Sequence, residues 1–129
     1  MARIEKFEEI KSWKKSRELT KQIYEITSHG DFKRDFGLKD QLRKASVSIL
    51  SNIAEGFERG GDQEFLQFLA VAKGSCGEVR AQLYVALDQG YVPRDKFQTL
   101  TALAAEISGL LSAFMKYLRE SNLRGSKYR

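Results

Sequence analysis

The chain has 129 residues, of which 42% are hydrophobic and 30% charged, and its formal net charge is +5. That composition suits a single globular domain able to bury its own core; it excludes a disordered chain, and no apolar run approaches the roughly 20 residues of a bilayer span. The lone Cys76 excludes an internal disulfide, and the charge-studded opening MARIEKFEEIKSW does not read as a signal peptide, so a reducing cytoplasm is the expected location.

Apolar periodicity predicts four helices and no strand. Helix 1, about 8–28, carries Ile10, Trp13, Leu19, Ile23 and Ile26 on its apolar side and stops at His29-Gly30-Asp31. The polar segment from Asp31 to Asp35 is expected to be the longest loop. Helix 2, about 37–58, places Leu38, Leu42, Ala45, Ile49, Ile53 and Phe57 in steps of three and four. Gly60-Gly61 interrupts it, and Asp62 is the expected N-cap of helix 3, about 62–89. Its heptad is clean: Phe65, Leu69, Ala72, Cys76, Val79, Leu83, Ala86. Gly90 sits where a left-handed C-cap residue belongs, and Pro93 falls in the first turn of helix 4, about 93–121. That helix repeats the pattern through Phe97, Leu100, Ala104, Ile107, Leu111, Phe114 and Leu118. Short connections imply antiparallel neighbours. The predicted fold class is therefore all-α, an up-down-up-down four-helix bundle forming one domain over 1–129.

Further apolar rows exceed what one bundle needs. Val47, Leu50 and Ala54 flank the core stripe of helix 2; Leu66, Phe68 and Val71 do so on helix 3, and Leu103, Leu110 and Tyr117 on helix 4. Such width predicts either a broad core arc or a subunit contact. Gly74, Gly77, Ser46, Ser48 and Ser51 would permit close helix approach.

The basic excess concentrates at the end of the chain, where Lys116, Arg119, Arg124, Lys127 and Arg129 face Glu120 alone. A basic tail over 119–129 attracts phosphate backbones, or serves only solubility. Helix 1 adds Lys11, Lys14, Lys15 and Lys21. Within helix 2, Ser51, Asn52 and Glu55 form a polar insert expected to join Lys73 or Arg80 of helix 3 in a network that sets bundle register or a subunit contact.

Catalytic chemistry finds little support. His29 lies at a helix end and Cys76 mid-heptad on another helix, so no nucleophile–base pair is suggested. A di-iron bundle needs two Glu-x-x-His pairs, which one histidine cannot supply. Gly60-Gly61 precedes a helix but reads as a plain turn, not a phosphate loop. No enzyme, metal or cofactor is expected.

The stretch Ser46–Gly74 resembles the signature of the bacterial four-helix-bundle family found in intervening sequences of 23S ribosomal RNA genes. It carries SNIAEG at Ser51–Gly56, the turn residues Arg59-Gly60, a Phe-containing helix from Glu64-Phe65 to Phe68-Leu69, and the small-residue step Ala72-Lys73-Gly74-Ser75. Trp13-Lys14, Gln41–Ala45, Gln82-Leu83 and Gly90-Tyr91 extend the likeness over nearly the whole chain. Leu50 stands where the family often has proline, and Cys76 where it has a larger aliphatic residue. The resemblance implies closed bundles assembled as homopentamers, and a relation to accessory proteins of diversity-generating retroelements that bind nucleic acid and a reverse transcriptase.

The expected function is thus a non-catalytic, basic, homo-oligomeric accessory protein that binds nucleic acid, RNA ahead of DNA. Phosphate contacts would come from Lys11, Lys14, Lys15, Lys21 and the basic C-terminal end, with no base stacking expected. The alternative is a scaffold that docks a polypeptide such as a reverse transcriptase.

Overall fold

A computed structural model describes residues 4–123. Helix α1 spans Lys11–Ile26, α2 Phe36–Arg59, α3 Asp62–Asp88 and α4 Arg94–Leu123, with short 3₁₀ turns at Phe7–Glu9 and Gly30–Arg34. Contacts between helices fix their sense. Thr20 and Arg43 bond across α1 and α2 to Ser46 and Thr27 respectively, so residue numbers rise on one helix as they fall on the other. Gln41 meets Gln82 and Ser48 meets Ser75 between α2 and α3. Tyr84 packs on Phe97, and Phe65 on Phe114, between α3 and α4. Lys15 reaches Glu106 to close α1 on α4. All neighbours are antiparallel, giving the up-down-up-down bundle.

The predicted stripes form the core. Every heptad residue of α3 from Phe65 to Ala86 is fully buried, as are Leu42, Ile49, Ile53, Leu100, Ile107 and Leu111. Trp13, Leu38, Phe57 and Phe114 pack on the rim of that core. Within α4, Arg94–Ser121 is apolar and long enough to cross a membrane by length and composition, with a mean hydropathy of 1.2. Its row from Leu100 to Leu118 is instead buried in the bundle.

Helix ends follow local chemistry. The Asp35 carboxylate accepts from the Leu38 amide at 3.1 Å and caps α2, while its other oxygen accepts from the Tyr91 hydroxyl at 2.9 Å. Gly90, at φ 75°, ends α3 in a Schellman arrangement: the Tyr91 amide donates to Ala86 and the Gly90 amide to Leu87, each at 2.9 Å. Arg43 pins the last turn of α1 from α2, donating to the Thr27 and Ser28 hydroxyls at 2.8 and 3.0 Å.

Three expectations are corrected. The segment after α1 is not a polar loop but a 3₁₀ turn whose Phe32 is fully buried and stacked on Tyr91, ring centroids 4.9 Å apart. Asp62 is not the N-cap of α3. Gly60 completes the left-handed turn at φ 84°, Gly61 takes the cap position in extended backbone, and the chain re-enters helix at Asp62. Close helix approach is not at Gly74 or Gly77, where an added Cβ meets nothing within 4 Å, but at Gly56. There a Cβ would lie 2.7 Å from the Phe68 Cβ and 2.8 Å from Phe65 Cδ1.

Candidate nucleic-acid interface

Helix α1 carries Lys11, Lys14, Lys15, Arg17 and Lys21 against Glu18 and Glu25. At 3.6 residues per turn, Lys11, Lys14, Arg17 and Lys21 fall within an arc of about 120° on the side away from Leu19 and Ile23. All four are exposed. Their rotation follows from burial: the core claims Ser12, Ser16, Leu19 and Ile23, which turns the lysine-rich arc to solvent. Lys15 departs from the group. It faces α4 and pairs with Glu106 at 3.3 Å, so its charge is partly offset.

Arg17 joins the face although the sequence reading left it out. Its spacing of three from Lys14 and four from Lys21 was the available signal. The Arg17 guanidinium lies 5.9 Å from the Trp13 ring centroid, and Trp13 in turn meets Phe7 edge-on at 5.2 Å. Trp13, Lys14, Arg17 and Lys21 line one shallow surface depression with Glu8 and Glu18. Lys11 sits apart at the rim of an apolar groove formed by Ile4, Ile10, Leu110, Phe114 and Tyr117.

Lys116 and Arg119 are exposed in the last turns of α4, at the bundle end where α1 begins. Arg124, Lys127 and Arg129 lie outside the described residues. Of the cations singled out in the sequence, those on α1 other than Lys15 share one exposed arc, and Lys116 and Arg119 stand at the bundle end where α1 begins, an arrangement apt for the phosphates of a charged polymer.

The polar insert of α2 is assembled differently from the expectation. Asn52 donates to the Ser48 carbonyl at 2.7 Å and to its hydroxyl at 3.0 Å, and that hydroxyl pairs with Ser75 of α3 at 2.9 Å. Glu55 turns instead to Arg59, at 2.9 Å, and Arg59 also reaches Glu64 across the turn at 3.4 Å. The hydrogen bond that Arg59 donates to the Glu55 carboxylate raises the Arg59 pKa above its ordinary value. Ser51, Lys73 and Arg80 are exposed, and neither cation meets Asn52 or Glu55 among the described residues. Lys73 and Arg80 are too far round α3: Ser75 is the α3 residue that faces Ser48.

A family model for the 23S rRNA-intervening sequence protein matches residues 8–113. The chain belongs to that family. The signature of this intervening-sequence family member now has a physical reading: within Ser51–Gly56, Asn52 anchors the seam to α3, Ile53 is core, Glu55 holds Arg59, and Gly56 admits Phe65 and Phe68. The bundle is similar to a solved structure from Bacteroides thetaiotaomicron, described as a protein of unknown function from the S23 ribosomal protein family. The TM-score is 0.75 at 22% identity, over 81% of this chain and 95% of the other, a likeness of fold. No curated protein matches the chain.

Proposed function

We propose that this protein is a non-catalytic accessory factor that binds structured RNA through the phosphate backbone, as a homo-oligomer. The observation that carries the reading is the exposed arc Lys11-Lys14-Arg17-Lys21 on α1, set beside Lys116 and Arg119. The four exposed cations outnumber Glu18 and Glu25, which share their arc, and that excess favours counterion release from a polyanion. Membership in the intervening-sequence family favours RNA over DNA as that polyanion.

The pentamer implied by the resemblance multiplies the basic face by symmetry. The outer face of α3 favours assembly: Val71, Tyr84 and Val85 are exposed, with Gly74 and Gly77 open between them. The same face supports a second reading, in which it docks a polypeptide such as a reverse transcriptase.

Nuclease-treated protein titrated with a structured RNA and an unrelated duplex DNA, across a salt series, tests the primary reading. Binding that weakens steeply with salt and favours the RNA is expected. Absence of binding at low salt would overturn it. Sedimentation of the protein alone tests the oligomer, and a monomer at micromolar concentration would remove that part.

A further inference from the structure

Among the described residues, five large hydrophobic side chains are exposed, and two of them, Tyr24 at 42% and Phe36 at 67%, are aromatics on the α1–α2 side of the bundle. Each carries a cation on its ring. The Arg43 guanidinium lies 4.3 Å from the Tyr24 centroid, and the Lys39 ammonium 4.8 Å from that of Phe36. Phe36 opens α2 and contributes nothing to the core, where a polar residue would serve the helix equally well. Its ring is held in solvent beside Lys39, whose ammonium donates to the Lys33 carbonyl at 3.2 Å.

Position adds direction. Arg43 follows Phe36 by seven residues, two helical turns on one side of α2, or about 10 Å along the axis. Lys44 shares a surface depression with Tyr24 and Arg43, where the two cations outnumber the single carboxylate of Asp40. On α1, Tyr24 continues the side of the helix that bears Arg17 and Lys21, seven and three residues earlier. Aromatic faces with adjacent cations, strung along a basic side, suit a polymer of flat rings joined by phosphates.

We infer, against the expectation of no base stacking, that the α1–α2 side is a platform for unpaired nucleotides, with one base stacking on Phe36 and another on the Tyr24–Arg43 pair, their phosphates meeting Lys39 and Lys44. The inference rests on the proposed RNA binding and names the part of the RNA that is read: an unpaired loop or tail rather than continuous duplex. A duplex keeps its bases inside and offers these rings nothing.

The test is fluorescence anisotropy with an unstructured single-stranded RNA and a fully paired RNA duplex. The wild type is compared with Phe36→Ala, Phe36→Trp and Tyr24→Ala, each checked for native circular dichroism. Loss of one stacked base is expected to weaken single-strand binding by about 5-fold to 150-fold and to leave duplex binding and the salt slope unchanged. Phe36→Trp should retain affinity, with its indole fluorescence altered on binding. Single-strand affinity unchanged in both alanine variants, with wild-type binding intact, would overturn the stacking platform alone. A wild type that binds neither RNA would overturn both this inference and the proposed function.

Discussion

Alanine at Gly56 would place a methyl group where α2 and α3 come closest. The new Cβ lies 2.7 Å from the Phe68 Cβ and 2.8 Å from Phe65 Cδ1. Carbon atoms settle at about 3.5–4.0 Å, so roughly 0.8 Å or more must be opened between the helices. A rotamer change cannot relieve the contact, because the Phe68 Cβ moves only with its backbone. Phe65 is fully buried between Phe57 and Phe114, which leaves its ring little room. Overpacking of this kind costs about 1–3 kcal/mol, and the rigid obstacle argues for the upper end. Alanine returns about 1 kcal/mol of helix propensity. The net loss is about 2 kcal/mol, or about 8 °C in Tm for a domain of this size. Urea and thermal unfolding followed by circular dichroism would measure it. Gly74→Ala is the matched control: nothing lies within 4 Å of its added Cβ, so it should gain up to about 1 kcal/mol. Gly56→Ala as stable as the wild type, with Gly74→Ala unchanged, would refute the close-approach argument.

Other predictions concern the seam, the loop clamp and the thiol. Asn52→Ala should cost about 1 kcal/mol in urea unfolding by removing two hydrogen bonds to Ser48, whereas Lys73→Ala should change little. Tyr91→Phe loses the bond to Asp35 while keeping the stack on Phe32, and should lower stability by about 0.5–1.5 kcal/mol. Burial pushes the Cys76 thiol up to about 12, so it should resist alkylation in the folded protein and react fully in denaturant. A raised folded pKa means stability that is intact below the unfolded thiol pKa, about 8.5, and lost as pH rises from there toward 12. The alkaline decline of the urea midpoint should accordingly be shallower in Cys76→Ala than in the wild type.

Helix positions and core rows were legible because steps of three and four leave little freedom: the α3 row from Phe65 to Ala86 is buried without exception. What escaped the sequence depends on distances between elements. A phenylalanine inside Asp31–Asp35 looks like a loop residue until Tyr91, far along the chain, is placed over it. Gly56 and Gly74 are equally small in sequence, and only the second helix distinguishes the crowded one from the open one. The basic face was visible in its lysines, and Arg17 belongs to it by its spacing of three from Lys14 and four from Lys21, a signal the lysine pattern overshadowed. Ser75 was missed as the seam partner since charge suggested Lys73 and Arg80, while the α2–α3 register chose a hydroxyl.

The central claim is that α1 meets RNA phosphates. The direct measurement is the salt dependence of RNA affinity for the wild type and for a Lys14→Gln, Arg17→Gln, Lys21→Gln triple variant. Each lost phosphate contact removes about 0.7–0.9 from the slope of log affinity against log salt. The account predicts a slope lower by about 2–3 for each subunit engaged, with native circular dichroism retained. An unchanged slope and affinity in the triple variant would contradict it.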